Sequence, residues 1–185
     1  MLRSEDIEGE DMRRLYAGDY KVSQIYKGPT HKGVDLVGLP DKRIFSSVKG
    51  VVSAVRVDTH PSGGFGLYVR IKADDTGYYH YFCHLAQALV VEGQLVSEGT
   101  LIGIEGSTGN STGPHCHYEI RRELSNQTFI DPTVFLGIPN VLMTHHAEVD
   151  YRKLYEECQE MLMRSIAEND IATNKLSRIR SILDE

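Results

Sequence analysis

Between residues 44 and 104 apolar and polar positions alternate in short runs broken by glycine, a period of two that predicts strands. Residues 51–57, Val-Val-Ser-Ala-Val-Arg-Val, follow Gly50 with strand composition. Residues 67–71, Leu-Tyr-Val-Arg-Ile, alternate after the loop 61–66, and Asp74-Asp75-Thr76-Gly77 turns the chain. Residues 78–85 read as the paired strand of a hairpin. Val90 to Ile104 repeats a unit of glycine turn and apolar strand, and residues 20–26 alternate weakly enough for a first strand. A glycine- and hydroxyl-rich loop, 103–114, then runs into a strand from His115 to Ile120. After the loop 125–127 and the segment 130–136, Gly137-Ile138-Pro139-Asn140 closes the pattern. Short strands at this spacing predict a mainly β fold, an antiparallel sheet or sandwich.

The period changes in the last part of the chain. Residues 149–185 have no Gly or Pro and are rich in Glu, Arg, Lys, Leu and Met. Leu154, Cys158, Met161 and Leu162 recur at helical spacing, as do Leu176, Ile179 and Leu183. The division expected is a polar leader over 1–19, a β domain over 20–140, and a linker with a helical tail over 141–185. The leader is either a short helix capped by Ser4 or has no regular structure. The tail's apolar stripe either docks on its own domain or joins a second subunit or a partner.

Charge and composition narrow the function. The 185 residues carry a net charge of -6 and no basic run, which argues against nucleic acid as a partner. No apolar run reaches membrane-spanning length. The first residues, Met1-Leu2-Arg3-Ser4-Glu5-Asp6, lack the apolar stretch of a secretory signal, so synthesis and folding in the cytoplasm are expected. Cys83, Cys116 and Cys158 are odd in number and form no Cys-x-x-Cys pair, and read as reduced thiols.

The chemistry starts at His115-Cys116-His117. On a strand both imidazoles take one face, while Cys116, Tyr118 and Ile120 take the other. The alternative is a pair of surface histidines. His31-Lys32-Gly33-Val34-Asp35 adds an imidazole and a carboxylate across a glycine that lets the backbone fold between them. Together they supply what a catalytic zinc site needs: three N and O ligands and one position for water. His31, Asp35 and one histidine of the strand pair complete that set, and the other sits beside it. His84 is a second histidine for the outer position. The same alternation turns Cys83 and Cys116 away from the histidines as core thiols. His60, His80, His145 and His146 have no motif context and are expected at the surface. Glu119 shares the histidine face, either orienting a ligand or as a surface carboxylate.

His31-x-Gly-x-Asp35, Tyr81-x-x-His84-Leu85 and the run from Gly103 through Ser111-Thr112-Gly113-Pro114-His115-x-His117-x-Glu119 resemble the M23 family of zinc peptidases, the lysostaphin and LytM type, over residues 20–137. The repeat Val90-x-x-Gly93-x-x-Val96-x-x-Gly99-x-x-Ile102 is similar to the family as well. The resemblance implies a lysostaphin-like β fold and Zn2+ held by His31, Asp35 and His117. It implies His84 and His115 as the two catalytic histidines, and the peptide part of bacterial peptidoglycan as substrate. The family's tyrosine before the first ligand has Tyr26 as its one nearby counterpart. An endopeptidase without a signal fits a phage or prophage lysin, or a domain of a larger exported protein. Two other readings compete. One is a non-catalytic M23-like activator or cell-wall-binding module, which would lose ligands. The other is a lipoyl- or biotin-type carrier, which needs a hairpin lysine where none lies between Val90 and His117.

Overall fold

The computed structural model describes residues 13–58, 64–125, 127–147 and 159–169. Contacts divide the chain into two units, Met1–Val149 and Asp150–Glu185. The first unit is mainly β, as the alternation predicts. Its strands are β1 (Tyr20–Gln24), β2 (Gly33–Gly38), β3 (Arg43–Phe45), β4 (Gly50–Asp58), β5 (Gly66–Ala73) and β6 (Tyr79–Cys83). They continue with β7 (Gln87–Ala88), β8 (Leu95–Val96), β9 (Leu101–Ile104), β10 (Cys116–Arg121), β11 (Phe129–Ile130) and β12 (Thr144–His145). A nine-stranded sheet runs β12-β1-β2-β10-β6-β5-β4-β8, with β11 beside β10, and a three-stranded sheet runs β3-β9-β7. The pairings are antiparallel.

The period of two explains the layering. Val34 and Leu36 of β2, Val69 and Ile71 of β5, Phe82 of β6, and Tyr118 and Ile120 of β10 turn inward and are buried. They meet Ile44 and Ile102 of the smaller sheet in one core. Full burial of each such side chain contributes roughly 1.5–3 kcal/mol. The residues between them, Asp35 on β2 and His117 and Glu119 on β10, take the opposite face.

His80 also turns inward, at 1% exposure, and is not a surface residue. The Tyr118 hydroxyl is hydrogen-bonded to His80 Nδ1 at 2.6 Å and to Ser47 Oγ at 2.8 Å, so the buried ring has a partner. His145 is likewise buried, in β12, with its ring stacked on Tyr20 at 4.8 Å. His146 is exposed and paired with Asp19.

Both edges of the expected β domain move outward. Leu15 and Tyr16, assigned to the leader, are buried in the core, and Tyr16 donates from its hydroxyl to Glu105 Oε2 at 2.6 Å. An isolated apolar pair has no period to reveal it. Beyond Asn140 the chain still adds β12 to the edge of β1, with Tyr20 opposite His145. A short helix α1 (Pro132–Leu136) is capped by Asp131, whose Oδ1 accepts from Thr133 N at 2.9 Å, and Gly137 ends it in the left-handed region.

The second unit is helical over 159–169, and every residue of that stretch is exposed. The rest of the expected helical tail, with Cys158, lies outside the described residues, as do residues 1–12 and His60.

Candidate metal centre

Three neighbouring strands place the chemistry on one sheet face. Register sets Asp35 of β2 opposite His117 of β10, and His117 opposite Cys83 of β6. His31 enters from the 3-10 turn Gly28–Thr30 just before β2. His31 Nε2 lies 3.1 Å from Asp35 Oδ1, and His117 Nδ1 lies 2.8 Å from the same oxygen. The donor atoms of His31, Asp35 and His117 fall within 4.8 Å of one another. Gly33 makes this approach possible. A Cβ there would sit 2.5 Å from the Tyr118 carbonyl and 2.6 Å from His117 Cε1.

The second nitrogen of each ring is also committed. A carbonyl only accepts, so His31 Nδ1–H donates to Ile25 O at 2.7 Å and turns Nε2 toward Asp35. His117 Nε2–H donates to Glu119 Oε2 at 3.3 Å and turns Nδ1 toward Asp35. Glu119 is buried and takes the orienting role foreseen as one of its two readings. Burial alone would lower the pKa of His117, but the hydrogen bonds to Asp35 and Glu119 outweigh it and raise it to about 9. Burial would push Asp35 up, but its bonds from His117 and His31 hold it well below the usual carboxylate range. Two nitrogens and one carboxylate oxygen converging in this way favour a positive charge between them. The donor set and its outer hydrogen bonds fit a zinc ion.

His84 and His115 stand beside this cluster, their ring centroids 4.7 Å apart. His84 Nδ1–H donates to Thr108 O at 2.8 Å, and His115 Nδ1–H donates to Gly113 O at 2.8 Å. In both, Nε2 is the ring nitrogen turned away from these carbonyls. That of His115 lies 3.7 Å from Asp35 Oδ2. Burial, aided by the nearby His115 and His117, lowers the pKa of His84 to about 4 and keeps the ring neutral at neutral pH. The Gly-rich loop that carries Thr108 and Gly113 packs on the 64–66 loop, where Gly66 and Gly109 approach backbone to backbone, both at positive φ. The two loops wall a cleft of about 690 Å³ that all five residues, His31, Asp35, His84, His115 and His117, line.

One expectation fails on backbone geometry. β6 ends at Cys83, and His84 has a φ of 65°, rare for a side chain other than glycine. That turn ends the alternation, so His84 does not follow the face of Phe82. Cys83 consequently lies on the histidine face in register with His117, rather than on the opposite one. It is fully buried, and burial pushes its thiol well above the usual range, as it does for Cys116 in the core. Neither sulfur belongs to the ligand cluster among the described residues. Tyr26 does not line the cleft; Gln24 does. Arg121 was not foreseen. It ends β10 and lines the cleft, and extending the alternation from His117 by four residues would have found it.

The model of Peptidase family M23 matches residues 29–132. The peptidoglycan DD-endopeptidase ShyA of Vibrio cholerae is 39% identical over 113 residues, which are 60% of this chain and 23% of that protein. Lysostaphin of Staphylococcus simulans is 34% identical over 111 residues, 59% of this chain and 22% of its own length. The chain thus spans about a quarter of these curated relatives. The solved structure of the antimicrobial peptidase lysostaphin from the same organism superposes with a TM-score of 0.57 at 31% identity, covering 63% of this chain and 49% of that one.

Proposed function

The chain belongs to peptidase family M23, and from that membership we propose that it is a zinc-dependent endopeptidase cutting peptide bonds of bacterial peptidoglycan. The observation that carries this is the convergence of donor atoms from His31, Asp35 and His117, with two further histidines at their side. Relatives named as peptidoglycan endopeptidases support the substrate. That substrate puts the site of action at the cell wall.

His31, Asp35 and His117 would hold the ion. Zinc bound there supplies Lewis acidity and lowers the pKa of bound water toward neutrality. The remaining work falls to the chain. Ile25 O and Glu119 fix the ring orientations of His31 and His117. His84, kept neutral by burial, and His115 are each held by a carbonyl at Nδ1 and present Nε2 to the cleft. One takes a proton from the attacking water, and the other, once protonated, donates to the developing oxyanion or to the leaving amine. The loops at 64–66 and 106–114 bound the groove in which an extended peptide would lie.

Zinc-loaded protein incubated with purified sacculi should release cross-link fragments identifiable by mass spectrometry, and a chelator should stop the release. Intact cross-links with folded, metal-loaded protein would favour the non-catalytic binding module instead.

A further inference from the structure

Arg121 ends the site face of β10 and has no part in the steps above. Its Cα lies four residues from that of His117, roughly 13 Å along the strand. The side chain folds back, and Nε donates to Glu119 Oε1 at 2.6 Å. The guanidinium lies 4.6 Å from the Tyr81 ring centroid and 5.3 Å from that of Phe65. An arginine held at one nitrogen and packed on two rings has lost most of its rotamer freedom. Among the described residues, no hydrogen bond occupies its two terminal amino groups, and the residue lines the cleft. Two hydrogen bonds, through Glu119, separate it from the His117 ring.

We propose that Arg121 is a specificity residue that binds a free carboxylate on the substrate residue that supplies the scissile amine. Arg121 is buried in the cleft wall, and a fixed guanidinium whose terminal amino groups carry no hydrogen bond among the described residues matches a carboxylate in a forked pair. A neutral oligoglycine bridge offers no such group within its length. A cross-link whose amine-side residue keeps a carboxylate beside the scissile amide does. Arg121 thus selects carboxylate-bearing cross-links of the diaminopimelate type. The inference rests on the endopeptidase reading for its substrate, but its binding component can be tested apart from turnover.

The test uses two synthetic cross-linked peptides that differ at one point, a free carboxylate or a carboxamide beside the scissile amide. Binding to the zinc-loaded protein is measured by calorimetry, and cleavage by kcat/KM. The wild type should prefer the acid by roughly ten- to hundredfold in Kd, as a charged hydrogen bond implies. In Arg121→Gln the acid-to-amide ratio should fall toward one, with Arg121→Lys, which keeps charge without the fork, in between. Equal affinity of the wild type for both peptides, or failure to bind either, overturns the proposal without need of a variant. A ratio unchanged in Arg121→Gln, whatever the absolute loss, would make Arg121 only a support for Glu119 and overturn it too. Preferential binding of the acid with no cleavage of either peptide would sink the endopeptidase reading and leave this one standing.

Discussion

Two imidazole nitrogens lie against one oxygen of Asp35, and among the described residues no other group draws three such donor atoms so close together. A residue in that position and one beside it should behave differently on removal. Asp35→Ala takes one of the three converging donors, so the purified variant should lose zinc in metal analysis. His84→Ala and His115→Ala take away groups whose Nδ1 is anchored to backbone carbonyls and whose Nε2 faces the cleft. These variants should keep stoichiometric zinc and lose turnover by roughly 10²–10⁴-fold, the range for a general acid or base or an oxyanion donor. Stoichiometric zinc of unchanged affinity in Asp35→Ala would refute the ligand assignment. Wild-type turnover in either histidine variant would refute the catalytic one.

At the scale of the strand, β6 places its residues in two quite different settings. Tyr81 and Cys83 stand on the site face, opposite Glu119 and His117, while His80 points into the core beside Phe82. Burial lowers the pKa of His80 to about 4, against about 6.5 in an unfolded chain. The folded state therefore binds this proton less well than the unfolded state. The stabilising effect of the neutral ring is present above pH 6.5 and is lost as pH falls from there toward 4. Urea unfolding at pH 6.5 and pH 5 should show this. His80→Leu should lose about 2 kcal/mol less than the wild type over that interval, whatever its stability at pH 6.5. Equal losses would mean that His80 does not titrate with unfolding. The same strand marks what can be read from sequence. The alternation through His115, His117 and Glu119 and the His-x-Gly-x-Asp spacing are local, so the residues that converge in the cluster and their face were legible. The positive φ at His84 is a backbone event with no glycine to announce it, so the sides of Phe82 and Cys83 relative to His84 were not. His80 shares its face with Phe82, which packs in the core. The want of a motif hid its burial.

For the whole molecule, the question is where the folded unit stops. The apparent end at Asn140 rests on a Gly-Pro punctuation, which is a local signal. The contacts that overrule it span the chain. Val22 N donates to Met143 O at 2.8 Å, Ala147 N donates to Asp19 Oδ1 at 2.9 Å, and His145 stacks on Tyr20, which itself stacks on Tyr16. Pairings between residues far apart in the chain leave no trace in a window of sequence, so neither the buried Leu15 and Tyr16 nor the edge strand β12 could be seen there. Two truncations separate the alternatives. A chain ending at Asn140 would expose Tyr20 and the edge of β1, removing the buried His145 and several hydrogen bonds together. Its melting temperature should fall by about 5 °C or more, since in a domain of this size each 1 kcal/mol lost shifts it by roughly 2–4 °C. A chain ending at Val149 keeps all of these contacts. It should retain the melting temperature, the zinc content and the cleavage of short soluble peptides, because every residue of the candidate site lies before it. The segment 150–185 would then serve something other than hydrolysis. Its described stretch carries Met161, Leu162, Met163 and Ile166 exposed. If that apolar stretch joins subunits, light scattering should report a smaller particle for the shorter chain at unchanged peptide turnover. A shorter chain that is folded and zinc-loaded but inert on those peptides would show that residues after Val149 help to build the site.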